Sequence, residues 1–239
     1  LPEITDTLTD LDISRLSLTK GQITAYHPAH LISNYRDISS WGEQDGDYTT
    51  DTDGVSKLVE KIIEVAKSGR RLTNVNILGS GIGSDLAKRL IEIQSSAKRS
   101  IKTLCGFTGK EEYIYRQDWG LQDGCALLIE NEIQHNRALE RLHIGNNQIS
   151  ASMMEKFIKG INLQFLCDIP LKTKTEKGGV KPDNEMTLDV SGRWLGFSGA
   201  HVLCHYLKNN THLTSLNIGS NNFKGSEVGE SLGMSCLLY

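Results

Sequence analysis

Two stretches of the chain carry the same order of apolar and polar positions. Leu139-Glu-Arg-Leu142-His-Ile144-Gly-Asn-Asn147-Gln-Ile149 and Leu213-Thr-Ser-Leu216-Asn-Ile218-Gly-Ser-Asn221-Asn-Phe223 agree at four apolar positions if the last is counted, and at one Gly and one Asn. With the second Leu as origin, the phase returns at Leu11, Val75, Ile114 and Leu188. Two positions on stand Ile13, Ile77, Ile144, Val190 and Ile218, with Arg116 breaking the pattern. Seven positions on, Leu18, Ile82, Leu121, Ile149, Leu195 and Phe223 are all apolar. The alternation predicts a short strand, followed by a turn that sends one more apolar side chain inward.

The period then changes. Ala87/Leu90, Ala126/Ile129/Ile133, Met154/Phe157/Ile161 and Ala200/Leu203/Leu207 recur at three-to-four spacing, one apolar face of a helix. Small residues at the first of these positions let each helix approach the strands closely. Two further starts are interrupted. Leu104-Cys105 opens a unit whose pattern resumes at Ile114, and Leu166-Cys167 opens one that resumes at Leu188. The second insertion, Lys172-Thr-Lys-Thr-Glu-Lys177-Gly-Gly-Val-Lys181-Pro182, predicts a solvated loop. Residues 19–53 fit no unit, and Leu58, Ile62, Val65 and Ala66 then give one helical face. In this frame Leu142, Ile144, Ile149, Leu188, Val190, Leu195, Leu216 and Ile218 are expected in the core.

The LxxLxIxxN pattern resembles the leucine-rich repeat. A strand plus a helix in the 28 residues from Ile114 to Leu142, and again from Leu188 to Leu216, resembles its ribonuclease-inhibitor-like class. The resemblance covers about residues 72–230 and an isolated strand at 8–18. It implies an α/β leucine-rich-repeat solenoid, a curved parallel sheet with outer helices, in about six units with insertions. Residues 1–71 would hold an N-terminal repeat strand, an irregular insertion and a helix, and 72–239 the array, as one continuous solenoid. In the family the Asn amide bridges the backbone of neighbouring turns. Only Asn147 and Asn221 keep it, while Leu16, Ser80, Trp119 and Arg193 stand elsewhere, which implies distortion in those four units. Relatives include ribonuclease inhibitors, sensing arrays of NLR-type receptors and Ran GTPase activators, and fold does not choose among them.

Charge narrows the partners. A net charge of -3 over 239 residues gives no electrostatic footprint for nucleic acid or an anionic membrane. Five widely spaced cysteines without a CxxC argue against a disulfide framework or structural zinc and for a reducing compartment. The chain opens Leu-Pro-Glu without a basic or apolar leader, so a cytoplasmic location is expected.

Candidate chemistry is sparse. Gly79-Ser-Gly81-Ile-Gly83-Ser84 has the look of a phosphate-binding turn, but Ser84 stands where the dinucleotide fingerprint needs its third glycine, and the repeat phase already accounts for Ile77 and Ile82. His201-Val-Leu-Cys204-His205 puts two imidazoles one helical turn apart without a fourth ligand. The cysteines fall at apolar repeat-like positions, as small core residues rather than nucleophiles. No enzymatic activity, cofactor or metal is expected. What remains is the strand face, where alternation exposes Tyr113, Tyr115, Gln117, Arg141, His143 and Asp189. Tyr and Arg are the types that dominate binding interfaces. The expected function is a protein–protein interaction module holding its partner on the concave sheet face. The alternatives are a scaffold subunit of a larger assembly, self-associating through an uncapped apolar end at Cys236-Leu-Leu-Tyr239, and a GTPase- or nuclease-regulating repeat protein.

Overall fold

The computed structural model describes residues 9–15, 17–19, 22–24, 52–68, 72–96, 101–174, 180–182 and 186–223. Within them the chain runs β1 (Asp10–Asp12), β2 (Ser17–Thr19), β3 (Gln22–Thr24), α1 (Thr52–Lys67), β4 (Asn74–Asn76), α2 (Ser84–Ser95), β5 (Tyr113–Tyr115) and α3 (Asp123–Ile133). It continues through β6 (Arg141–His143), α4 (Ala151–Gly160), β7 (Phe165–Leu166), β8 (Ile169–Pro170), β9 (Lys172–Lys174), β10 (Val180–Pro182), β11 (Thr187–Asp189), α5 (Gly196–Asn209) and β12 (Ser215–Asn217). This is a mixed α/β architecture with five helices and several small sheets, none of them closed. No helix among the described residues is long and apolar enough to cross a membrane.

The strands pair in the phase the sequence sets. Leu11 faces Val75, Ile114 faces Leu142, Leu142 faces Leu166, and Leu188 faces Leu216, all in parallel register. Consecutive helices pack side by side, α1 on α2 through to α4 on α5. The core lies between the two sets: Leu142 and Ile144 from β6 and its turn share one buried cluster with Met154 and Phe157 of α4. Six of the eight expected core residues are buried. The other two correct the expectation: Leu216 is 37% exposed and Ile218 only partly covered. β12 is the edge strand of its pair, exposed at all three positions, so alternation alone does not bury it.

Each strand ends in the same left-handed turn. The residue four positions after each origin has positive φ: Arg15, Gly79, Asp118, Asn146, Gly192 and Ser220, between 52° and 73°. These turns stack through backbone bonds, Arg15 N to Leu78 O, Asp118 N to Gly145 O, Asn146 N to Leu195 O and Gly192 N to Gly219 O, at 2.8–3.2 Å. Gly79 fits this stack for a steric reason, since a Cβ there would run into the Trp119 carbonyl. The phosphate-loop look of residues 79–84 therefore has a packing cause at its first glycine.

The missing amides prove to be shared rather than lost. Asn147 Nδ2 donates to Ile144 O and Gly145 O in its own turn and to Arg116 O in the preceding one, at 2.8–3.1 Å. Its Oδ1 accepts from Trp119 N and Leu121 N, both 3.0 Å. Asn221 does the same for the unit that carries Arg193, accepting from Leu195 N and donating to Val190 O. One Asn satisfies two turns, so Trp119 and Arg193 stand in the Asn position without orphaning buried backbone groups, and the expected distortion in these two units is corrected. Arg116 is accommodated where the phase wants an apolar residue because aromatic rings cover it. Its guanidinium lies 4.4 Å from the Trp119 ring centre and 5.3 Å from that of Phe107.

The interruptions have structural form. Thr103 pairs with Asn74, and Glu132 on α3 accepts from the Leu104 and Cys105 N–H groups before the chain turns away at Gly106. β7 ends in a two-residue turn, Cys167-Asp168, both at positive φ, that folds β8 back antiparallel. The segment Lys172–Pro182, expected as loop, carries the antiparallel pair β9–β10, with 175–179 between them outside the described residues. Both insertions widen the strand layer while the turns of the regular units stay stacked.

Candidate functional site

The parallel register of β5, β6 and β7 lays out two rows on the strand face. The first holds Tyr113, Arg141 and Phe165 side by side, and the second puts Tyr115 beside His143. Tyr113 and Tyr115 are 46% and 48% exposed, their rings 6.1 Å apart and edge-on. The Arg141 guanidinium lies over Phe165, 3.8 Å from the ring centre. Gln117 ties the second row to the next unit, accepting from the Tyr115 hydroxyl through Oε1 and donating through Nε2 to Trp194 O at 3.3 Å. Trp194 itself is 59% exposed and held at φ 53°.

His143 departs from expectation. It was placed on the open face, yet only 1% of it is exposed. Three neighbours explain this: the Tyr115 ring covers it at 4.9 Å, Asp168 from the β7–β8 turn reaches within 3.7 Å of its Nε2, and Gly145 packs behind its ring. Nδ1 accepts from Gly145 N, which assigns the proton to Nε2, facing Asp168. Burial holds the imidazole below the ordinary histidine range, Asp168 opposes this, and Arg193 adds to it from 3.6 Å beyond Asp168. Burial followed by the charge of Asp168 raises both Tyr113 and Tyr115 above the usual phenol range, so the carboxylate's field reaches the open face.

Asp189 does not join this group. It lies on the β11–β12 pair, where its carboxylate accepts from Ser191 and from Asn217 Nδ2, and the Ser191 hydroxyl bond holds it below the usual carboxylate range. Of the six residues marked by sequence, four (Tyr113, Tyr115, Gln117 and Arg141) form one patch, His143 underlies it, and Asp189 stands apart. Three residues were missed. Phe165 stands one position before Leu166, as Arg141 does before Leu142, so the interrupted unit already carried the signal. Asp168 and Trp194 carried none, since both depend on left-handed turns that phase does not predict.

Burial raises the Cys105 thiol far above its ordinary value and pushes Cys167 up to about 12, so both stay protonated. On α5 the His201 ring stands edge-on to Phe197 at 4.6 Å, and burial lowers both His201 and His205. Among the described residues no group of three His, Cys, Asp or Glu side chains is placed to hold a metal ion.

No protein-family model matches the chain, and no curated protein matches it. Among solved structures, leiomodin-1 actin-binding site 2 is similar over 76% of this chain and 87% of that one, at 16% identity and a TM-score of 0.27. A likeness that distant supports no argument about this chain, and its function rests on its own residues.

Proposed function

We propose that the chain is a leucine-rich-repeat solenoid acting as a protein-interaction module, without catalytic activity of its own, that holds a protein partner on its strand face through Tyr113, Tyr115, Gln117 and Arg141, with Trp194 at the margin. One observation carries the reading. Two tyrosines nearly half exposed stand on one strand, β5, backed by a filled core, with Arg141 of the paired β6 between Tyr113 and Phe165. Rigid aromatics bury large area at little entropic cost on binding, and with Arg they supply most interface energy. The repeated left-handed turn and the shared Asn amides support the solenoid. The buried free thiols Cys105, Cys125 and Cys167 support a reducing, cytoplasmic setting.

The test is partner capture with the full chain, compared with a Tyr113→Ala/Tyr115→Ala variant of unchanged melting temperature. The captured partner should bind the variant about 30-fold more weakly, roughly 2 kcal/mol. A partner indifferent to the tyrosines but lost when residues 172–182 are deleted would place recognition on the insertion and overturn the reading. One observation favours a second role as an assembly subunit. Leu216 lies exposed on β12, the last strand among the described residues, while the apolar Cys236–Tyr239 expected to self-associate lies outside them. Light scattering decides this: a monomer at tens of micromolar sinks the second role.

A further inference from the structure

Arg141 differs from the other arginines beside it. Arg193 stands 3.6 Å from Asp168, and Arg116 donates to Tyr115 O between two aromatic rings. Arg141 is exposed, and among the described residues nothing accepts from its guanidinium. The guanidinium carbon lies 3.8 Å from the Phe165 ring centre, so the ring covers one side of the group and its N–H donors are not used by the described residues. That is the geometry that takes a carboxylate with two parallel bonds, held ready by the ring beneath.

Resting on the reading of the strand face as a partner site, we propose that its occupant is a protein segment carrying a single acidic residue beside an apolar one. One Asp or Glu carboxylate of the partner docks on the Arg141 fork, and an apolar side chain beside it lies against Tyr113 and Tyr115. The charge of the face selects this ligand. A single uncommitted cation balances one negative charge. Asp168 is close enough to raise Tyr113 and Tyr115, and Asp12 is close enough to act on Arg116. A phosphate dianion calls for a cluster of arginines, and a nucleic-acid strand would have to run past those acids. The flanking acids suit a segment whose remaining charges are positive or absent.

Panning short random displayed peptides against the full 239-residue chain tests this. Recovered peptides should share one Asp or Glu next to an aromatic or aliphatic residue. Each should weaken about tenfold or more when that acid becomes its amide, and again by about as much for Arg141→Gln against the native peptide. The two changes together should cost little more than either alone, the mark of a direct pair. Arg141→Lys keeps the charge and the strand but not the fork, so it should also weaken binding while leaving the circular dichroism unchanged. Peptides without a fixed acid that are still lost on Tyr113→Ala/Tyr115→Ala would overturn this proposal and leave the partner face standing. No enrichment, or binding indifferent to Tyr113, Tyr115 and Arg141 alike, would overturn both. A phosphoserine in place of the acid that binds about tenfold tighter would make the ligand a phosphopeptide and overturn the carboxylate.

Discussion

The centre of the strand face and its flanks are built on the same alternation, yet they treat their polar groups in opposite ways. On the flanks short polar residues satisfy one another across the register. Asn74 Nδ2 donates to Asp10, Asn76 Nδ2 to Asp12, and Asn217 Nδ2 to Asp189, at 2.5–3.3 Å. In the centre Tyr113 and Arg141 are paired by the same register but make no such bond with each other, and Arg141 rests on an aromatic ring instead. A ladder of mutual Asp–Asn bonds is already solvated by itself and offers a partner little area. Large side chains with open donors on a packed base offer both area and direction. Beneath the face the difference is confined to one unit: the flanking origins Val75 and Leu188 are buried as Leu142 is, and Leu216 is not.

The strongest way to break this comparison is to truncate both origins. Leu142→Ala should cost about 2–5 kcal/mol, as removal of packed methyls does, and Leu216→Ala under about 1 kcal/mol. Urea unfolding of the two variants measures it. Equal losses would mean that β12 is as well packed as β6.

The two kinds of asparagine sharpen it next. Asn147 is buried and makes five bonds across two turns, so Asn147→Ala leaves Trp119 N, Leu121 N and Arg116 O without their partner. About 2–3 kcal/mol should be lost, on the scale of one or two unsatisfied buried groups after partial rescue by water. Asn74→Ala removes an exposed bond to Asp10 and should cost no more than about 0.5 kcal/mol. Thermal melts of both variants suffice, and a mild Asn147 variant would show that the turns stack without the amide.

The repeat phase was legible because six units agree on where apolar residues fall, and burial follows that agreement wherever a strand has neighbours on both sides. It failed at Leu216, since the pattern reports which way a side chain points and not whether a further strand covers it. The candidate patch was half legible. Alternation found Tyr113, Tyr115, Gln117 and Arg141, whose exposure depends only on their own strands. It misplaced His143, whose burial depends on Asp168, a residue brought over it by a two-residue left-handed turn twenty-five positions on. It missed Trp194 for a similar reason. Left-handed positions were half signalled, with Gly, Asp or Asn at four of six, while Arg15 and Ser220 adopt them because the stacked turns over-determine the backbone.

His143 yields the smallest expected effect and the most specific one. Burial holds its imidazole neutral, below the value of about 6.5 that it recovers when unfolded. Between those two values the unfolded chain binds the proton and the folded chain does not, so stability rises with pH through that window and is lost as pH falls through it. His201 and His205 are lowered by burial too and contribute the same sign, so the whole-protein slope does not isolate His143. Comparison with His143→Phe does. The ring keeps the stack under Tyr115 and removes the titration, so the slope of unfolding free energy between about pH 5 and 7 should flatten while the α5 histidines still titrate. Asp168 gives the control with the opposite consequence. Its charge favours the imidazolium, so Asp168→Asn should hold His143 lower still and steepen the slope, provided the β7–β8 turn keeps its shape. An unchanged slope for His143→Phe would mean that His143 keeps its ordinary value in the fold, and that water reaches the space between Tyr115 and Asp168.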